Sequence, residues 1–419
     1  MDALLNNEYE VHIGLDWADS HHELCVALKG EKECRRMKLS ADAMRMHECL
    51  TSLHIESGRG RIAVCFEQTG GSVVNALMMH DFIDLYPVNP IQVKNYRESF
   101  SPSGAKDDPA DAQIMLELLC RHGDKLKCWK PDNEEARKLR LLCEARRRFV
   151  DERADWVNEL RATLKLYYPQ ALTVANDNLC SEMFCAFLMK WPQFESFRDA
   201  PNQTVRRFLY GHNIRSKSRV EKIMKEKDES VVLTDDEAVV EPCILRIQAL
   251  VRGIREHNKT VEAYNRKIRT LEAVMQDASL FQSLPGAGRC LAPRLLAAFG
   301  TDRSRFESAE DVNTYMGVAP VVERSGKKCW VHWRWSCPSF LRQTMVEFAR
   351  TSIGQSRWAY AFYHDARQRK GKDHQAALRA LAFKWVRIIY RCWQDRTPYN
   401  EEQYIRALKR KQSPLAKAL

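Results

Sequence analysis

Four carboxylates and one serine are the residues of this 419-residue chain whose types and spacing can do chemistry. Asp16 and Glu67 each close a short apolar run, and Asp108 and Asp111 lie one helical turn apart at the start of a later segment. A sheet edge facing a helix start would gather all four. Such a cluster repels itself unless divalent cations neutralise it, and all-oxygen ligands select Mg²⁺ or Mn²⁺ over zinc. Two such ions about 4 Å apart activate a nucleophile and stabilise the leaving oxygen at a phosphodiester. Each acid alone also reads as a cap or a solvated charge; Asp108 suits an N-cap, and Asp19 and Asp107 are neighbouring competitors. Ser325 precedes Gly326 and is flanked by Arg324, Lys327 and Lys328, which places a hydroxyl in a positive field where a phosphate oxygen can bind. The same Ser-Gly pair is equally an ordinary turn.

Two further stretches suit phosphates or bases. Leu284-Pro285-Gly286-Ala287-Gly288, followed by Arg289, has the form of a helix-hairpin-helix turn, in which glycines let backbone N–H groups approach a phosphate. A dinucleotide-binding GxGxxG is excluded because position 291 is Leu and no strand precedes it. Trp330, Trp333 and Trp335 alternate with His332 and Arg334. The alternation fits a strand with an aromatic face in the core, the reading preferred for at least two of them, or an aromatic and basic platform for bases.

The elements that must position these residues follow from periodicity. Residues 9–15 alternate as a half-buried strand, with 23–28 as its hairpin partner; a helix follows over 41–53, then a strand over 62–66, a helix after Gly70-Gly71 and a strand over 83–88. Pro109 suits the first position of the helix carrying Asp111. That order predicts an RNase H-like α/β domain over residues 1–130. Residues 131–280 read as a helical and coiled-coil region. Ile247, Ile254, Val261, Ile268 and Met275 recur every seven residues, with Leu250, His257, Tyr264 and Leu271 three later, as in a coiled-coil arm or a long helix packed on its own chain. Residues 281–400 predict a mostly helical domain interrupted between Gly317 and Pro338, and 401–419 a basic tail.

Charge is divided unevenly. Residues 1–120 hold 11 Lys+Arg against 19 Asp+Glu, whereas 281–419 hold 25 against 11, within a net charge of +11. This assigns polyanion binding to the back of the chain. No apolar run is long enough to span a membrane, and the opening residues have no signal-peptide pattern, so a cytoplasmic, nucleoid-associated protein is expected. The fourteen cysteines contain no CxxC pair and read as reduced packing residues.

With those residues in place, the chain resembles transposases of the IS-one-ten (IS110) family, and more closely their IS-eleven-eleven subgroup. The resemblance rests on Gly14-Leu15-Asp16, Phe66-Glu67 with Thr69-Gly70, Lys106-Asp107-Asp108-Pro109-Ala110-Asp111, Leu284 to Gly288, Gly317-Val318-Ala319-Pro320 with Ser325-Gly326, Leu341-Arg342 and Gly371-Lys372. It implies a RuvC-like, RNase H-fold domain with a DEDD site made of Asp16, Glu67, Asp108 and Asp111. It also implies a multimerising coiled coil and a C-terminal domain whose catalytic serine is Ser325. A bridge noncoding RNA that pairs with donor and target DNA is implied as well, with a homo-oligomer, dimer or tetramer, as the working form. Where many relatives carry Lys/Arg-Gly-Asn, this chain has Trp335-Ser336-Cys337-Pro338, so residues there do not transfer, and Ser336 and Ser339 are minor rivals to Ser325.

The reading is therefore a Mg²⁺-dependent (or Mn²⁺-dependent) DNA transposase and recombinase acting on double-stranded DNA. Backbone contacts are expected from Gly286, Gly288, Arg289, Arg324, Lys327, Lys328, Arg334 and Arg342. The alternatives are a metal-dependent Holliday-junction-type nuclease without serine catalysis, and a non-catalytic nucleic-acid-binding protein. An ATPase lacks the phosphate-cradling glycine loops it needs.

Overall fold

The central strands of the first domain alternate large and small residues, and this alternation sets the architecture. In β1 (Val11–Asp16) and β4 (Ile62–Phe66), the large side chains Val11, Ile13, Leu15, Ile62, Val64 and Phe66 share one core, while Ala63 and Cys65 belong to a second on the opposite face. Both strands are buried along nearly their whole length, as expected of central strands covered on two sides. The computed structural model describes residues 8–67, 71–100, 108–326, 328–332, 334 and 337–418, with the side chains of residues 100, 108, 109, 417 and 418 outside the description. The chain forms two compact units, residues 1–131 and 132–419.

In the first unit, β1, β2 (His21–Leu28) and β3 (Arg35–Ser40) form an antiparallel meander, while β4 and β5 (Ile83–Pro87) add in parallel beyond β1, giving the order β3-β2-β1-β4-β5. This mixed sheet is compatible with the RNase H-like expectation. β3 is an element the sequence reading missed: its Met37 and Leu39 are only half-buried, between exposed charges, at the sheet edge. Helix α1 (Ala43–Glu56), capped by the Asp42 carboxylate accepting from the Met44 and Arg45 amides, and α2 (Ser72–Leu77) cover the large-residue face. Helix α3 (Pro90–Phe100) leads to α4 (Asp108–His122), which lies on the small-residue face.

The second unit is built around a helical pair. Helix α5 (Glu134–Tyr167) runs antiparallel to α11 (Glu237–Glu272): Arg146 bonds Asn265, Arg153 bonds Asn258, and Arg246 bonds Glu159. The heptad positions Ile247, Ile254, Val261 and Ile268 are buried, and α11 packs mainly on α5 of the same chain. Of the two readings of the heptads, the long helix packed on its own chain is the one seen here. A heptad records a partner helix but not which chain supplies it. Met275 lies beyond the helix end, and His257 donates from Nδ1 to the Gly253 carbonyl (2.9 Å) with Nε2 facing Glu152 Oε2 (3.2 Å).

The pair joins two hydrophobic cores. At one end, α6 (Ala171–Ala175), α7 (Glu182–Lys190), α8 (Phe194–Arg198), α9 (Asn202–Gly211) and α10 (Lys217–Glu229) pack aromatics such as Phe184, Phe187 and Phe197 against Ile247 and Ile254. At the other, Leu139, Cys143 and Ile268 join a core made by α12 (Ala278–Gln282), α13 (Gly288–Phe299), α14 (Ala309–Tyr315), α15 (Ser339–Ser352), α16 (Arg357–Gln368) and α17 (His374–Gln394). Residues on both sides of position 281 therefore share one core. Between α14 and α15 a two-stranded hairpin, β6 (Val321–Ser325) and β7 (Lys328–His332), stands apart. The tail forms α18 (Glu401–Arg410), whose Tyr404, Ile405 and Leu408 pack on that core. Among the described residues no helix is long and apolar enough to cross a membrane.

Candidate active site

Gly14 is the hinge of the carboxylate arrangement. A Cβ at this position would lie 2.0 Å from the Ala112 carbonyl oxygen and 2.4 Å from the Leu116 amide, so α4 rests directly on the β1 backbone. The small-residue face permits that approach, and it carries Asp111, next to Ala112, to the C-terminal end of β1. Asp16 shares the parity of Gly14, and Glu67 continues that of Ala63 and Cys65, so both project toward the face that α4 covers. The parallel register, Leu15 beside Phe66, places Asp16 and Glu67 at matching strand ends. Asp108 opens α4 one turn before Asp111; it is the first helical residue by assignment, and its side chain lies outside the described residues, as do Asp107 and Lys106.

Asp111 is buried, and its carboxylate is paired with Arg97 of α3. No sequence signal pointed to Arg97, which lies in a different helix with no periodic link to the acids. Among the described residues no three acidic, histidine or cysteine groups are close enough to hold a metal ion. The donor set is nevertheless all oxygen on converging elements and fits a hard divalent cation, provided Arg97 yields or shares Asp111. The guanidinium neutralises in place the charge that a cation would otherwise balance.

Ser325 ends β6, paired with Lys328 across a tight turn in which Gly326 adopts φ 56°. The side chains of Arg324, Ser325 and Lys328 are exposed, and the Ser325 hydroxyl has no hydrogen-bond partner among the described residues. Lys327, Trp333, Trp335 and Ser336 lie outside them. Trp330, the one of the three tryptophans among the described residues, is 45% exposed, with Val331 at 67%. A two-stranded hairpin has no second layer in which to bury an aromatic face. Ser339 is the first residue of α15 rather than part of the hairpin.

The base of the hairpin borders a groove of about 670 Å³ lined by His332 and Arg334 and, on α17, by Arg379, Phe383, Lys384 and Arg387, with no carboxylate among the described lining residues. Lys384 lies over the Phe362 and Trp358 rings at 5.0 and 5.6 Å; burial, with Lys370 and Arg387 nearby, lowers its pKa. Stacking and cation density of this kind suit a nucleic-acid strand.

Two other residues expected at the nucleic-acid backbone also contact the protein itself. Arg342 donates to the Arg334 carbonyl (2.9 Å) and to Cys337 Sγ (3.4 Å), so it fastens the loop below the hairpin. Gly286 (φ 82°) packs on the Thr351 backbone, which a Cβ would meet at 2.9 Å, so its closest approach is to protein. Gly288 and Arg289 remain open at the start of α13.

Family profiles and known proteins match the sequences of both units. A family profile for DEDD transposases of IS110, described as "Transposase", matches residues 13–169, which contain the four carboxylates. A second, described as "Transposase IS116/IS110/IS902 family", matches residues 278–364, which contain Ser325. Over 401 residues the chain is 24% identical to the "Mini-circle putative transposase for IS117" of Streptomyces coelicolor, covering 94% of this chain and 96% of that protein. It is 23% identical over 401 residues to the "Insertion element IS900 uncharacterized 42 kDa protein" of Mycobacterium paratuberculosis, covering 93% and 97%. The "Putative transposase y4uE" of Sinorhizobium fredii is 26% identical over 215 residues, half of this chain and 59% of that protein.

Proposed function

Since the chain is a transposase of the IS110/IS116/IS902 family, we propose that it moves an insertion sequence by serine-dependent cleavage and exchange of DNA strands. Ser325 Oγ attacks the scissile phosphorus. An Oγ–P bond forms as the bond to the leaving sugar oxygen breaks, and the hydroxyl proton passes to a neighbouring base or water. Reversal of this step by a sugar hydroxyl of the partner strand restores the phosphodiester in the recombined product and frees the serine. Arg324 and Lys328, with Lys327 between them in sequence, hold the phosphate backbone without reading bases.

Asp16, Glu67, Asp108 and Asp111 would hold Mg²⁺, or Mn²⁺, which when bound supplies charge stabilisation for the phosphoryl oxygens. The double-stranded element ends and target are selected, in this reading, by a bridge RNA, in keeping with the IS-eleven-eleven resemblance, and the protein works as a homo-oligomer. Specificity placed in a guide leaves few base-reading residues in the protein.

The observation that carries the proposal is the placement of Ser325 at an exposed hairpin tip between cations. Its unpartnered hydroxyl also favours a second reading, a junction nuclease in which water attacks and Ser325 is structural. Ser325→Ala and Asp16→Asn in a donor-excision assay separate the two. Serine catalysis expects both variants to lose excision while retaining DNA binding. Cleavage retained in Ser325→Ala and lost in Asp16→Asn selects the nuclease, and excision intact in both selects a non-catalytic binding protein.

A further inference from the structure

We propose that the junction of α5, α11 and α13 is a seat for one phosphate group of a nucleic-acid backbone, separate from the Ser325 hairpin. Four arginines, Arg146, Arg269, Arg289 and Arg294, line a partly open cavity of about 180 Å³, with no carboxylate among its described lining residues. That space takes a phosphate group or a few waters, a water occupying about 30 Å³ in the liquid. Its lining includes Arg289 and Cys290 in the first turn of α13, a twelve-residue helix whose preceding residue, Ala287, provides no side-chain cap. Its first amides are therefore available to an anion and its dipole favours one.

The independent observation is Arg294. It is 3% exposed, yet Nη2 has no hydrogen-bond partner among the described residues. The other two nitrogens are fixed, Nε donating to Thr344 Oγ1 (3.0 Å) and Nη1 to Glu347 (2.6 Å), while the guanidinium stacks on Phe340. A buried charged nitrogen left unmatched is costly unless a ligand completes it.

Arg146 is held ready by Asn265 and by Cys290 Sγ (3.4 Å), and neither it nor Arg289 has a carboxylate partner among the described residues. Arg269 alone among the remaining lining cations is tied to a surface acid, Glu262 (2.9 Å). The site is thus preorganised for planar, bidentate contacts to a phosphate, which arginine makes better than lysine.

The test uses the full chain. Arg289→Ala and Arg146→Gln are compared with Arg252→Ala, an exposed arginine of α11 outside the cavity. Binding of a labelled DNA duplex and a labelled RNA hairpin is followed against salt, and thermal unfolding against inorganic phosphate. Each cavity variant should weaken binding several-fold and flatten the log–log salt slope by about 1, while phosphate should raise the melting temperature of the wild type but not of Arg289→Ala. Loss confined to DNA or to RNA identifies which backbone occupies the seat. Both variants binding both nucleic acids as Arg252→Ala does would overturn the proposal, whatever phosphate does to the melting temperature. Because the readout is binding, the outcome does not depend on whether Ser325 is the nucleophile.

Discussion

The acids of the first unit and the serine of the second are held in opposite ways. Asp111 is buried on a helix seated directly on the β1 backbone and is already neutralised by Arg97. Ser325 sits at the tip of a hairpin whose Val322, Trp330 and Val331 are exposed and whose cations face solvent. One region is fixed by packing before any ligand arrives. The other is a marginal element that gains its missing second layer only from what it binds. This contrast assigns preorganisation to the carboxylate edge and, in the proposed function, substrate-dependent assembly to Ser325.

The largest effect should follow from breaking the charge pair on the rigid side. Arg97→Gln leaves Asp111 buried and unpaired and should cost about 3–5 kcal/mol of stability in the first unit. If Asp111 is a metal ligand, millimolar Mg²⁺ should recover more melting temperature in this variant than in the wild type; equal responses would separate Asp111 from the metal. Next is Gly14→Ala, whose Cβ cannot fit against Ala112. Overpacking there should cost about 3 kcal/mol and displace α4, lowering excision along with stability.

Acid should produce a loss of similar or slightly smaller size. His12 is buried, and desolvation lowers its pKa from 6.5 to about 4. The unfolded chain therefore takes up a proton that the folded one refuses. The stability contributed is full above pH 6.5 and is lost as pH falls toward 4, about 3 kcal/mol in all. Urea unfolding between pH 7.5 and 4.5 should show this slope, and His12→Asn should flatten it.

The smallest effect on stability belongs to the exposed side. Arg324→Ala with Lys328→Ala should leave unfolding within about 0.5 kcal/mol of wild type while reducing the salt slope of DNA binding by up to about 2. A large stability loss there would mean that the hairpin is packed rather than awaiting a partner.

The rigid half was the more legible in the sequence. Strand ends, the Gly14-Leu15-Asp16 and Phe66-Glu67 motifs and the paired acids of α4 are local patterns, and β4 runs over the expected residues. The large-small alternation that seats α4 was also present, although it is easily taken for a plain apolar strand. Arg97 was invisible because its contact joins two different helices with no shared periodicity. The heptads revealed a helical pair, but periodicity does not say whether the partner is cis or trans. Trp330 is exposed: alternation implies a face without saying that anything covers it. The Arg146–Arg294 cavity has no signature at all, since its arginines come from three helices.

The central claim is that Ser325 becomes covalently linked to DNA. The protein with Mg²⁺ and the RNA proposed as its guide, given a nicked element-end substrate that loses its leaving strand, should accumulate a protein–DNA adduct mapped by peptide mass spectrometry to Ser325 and absent from Ser325→Ala. Efficient strand cleavage with no adduct, or an adduct on another residue, would contradict it.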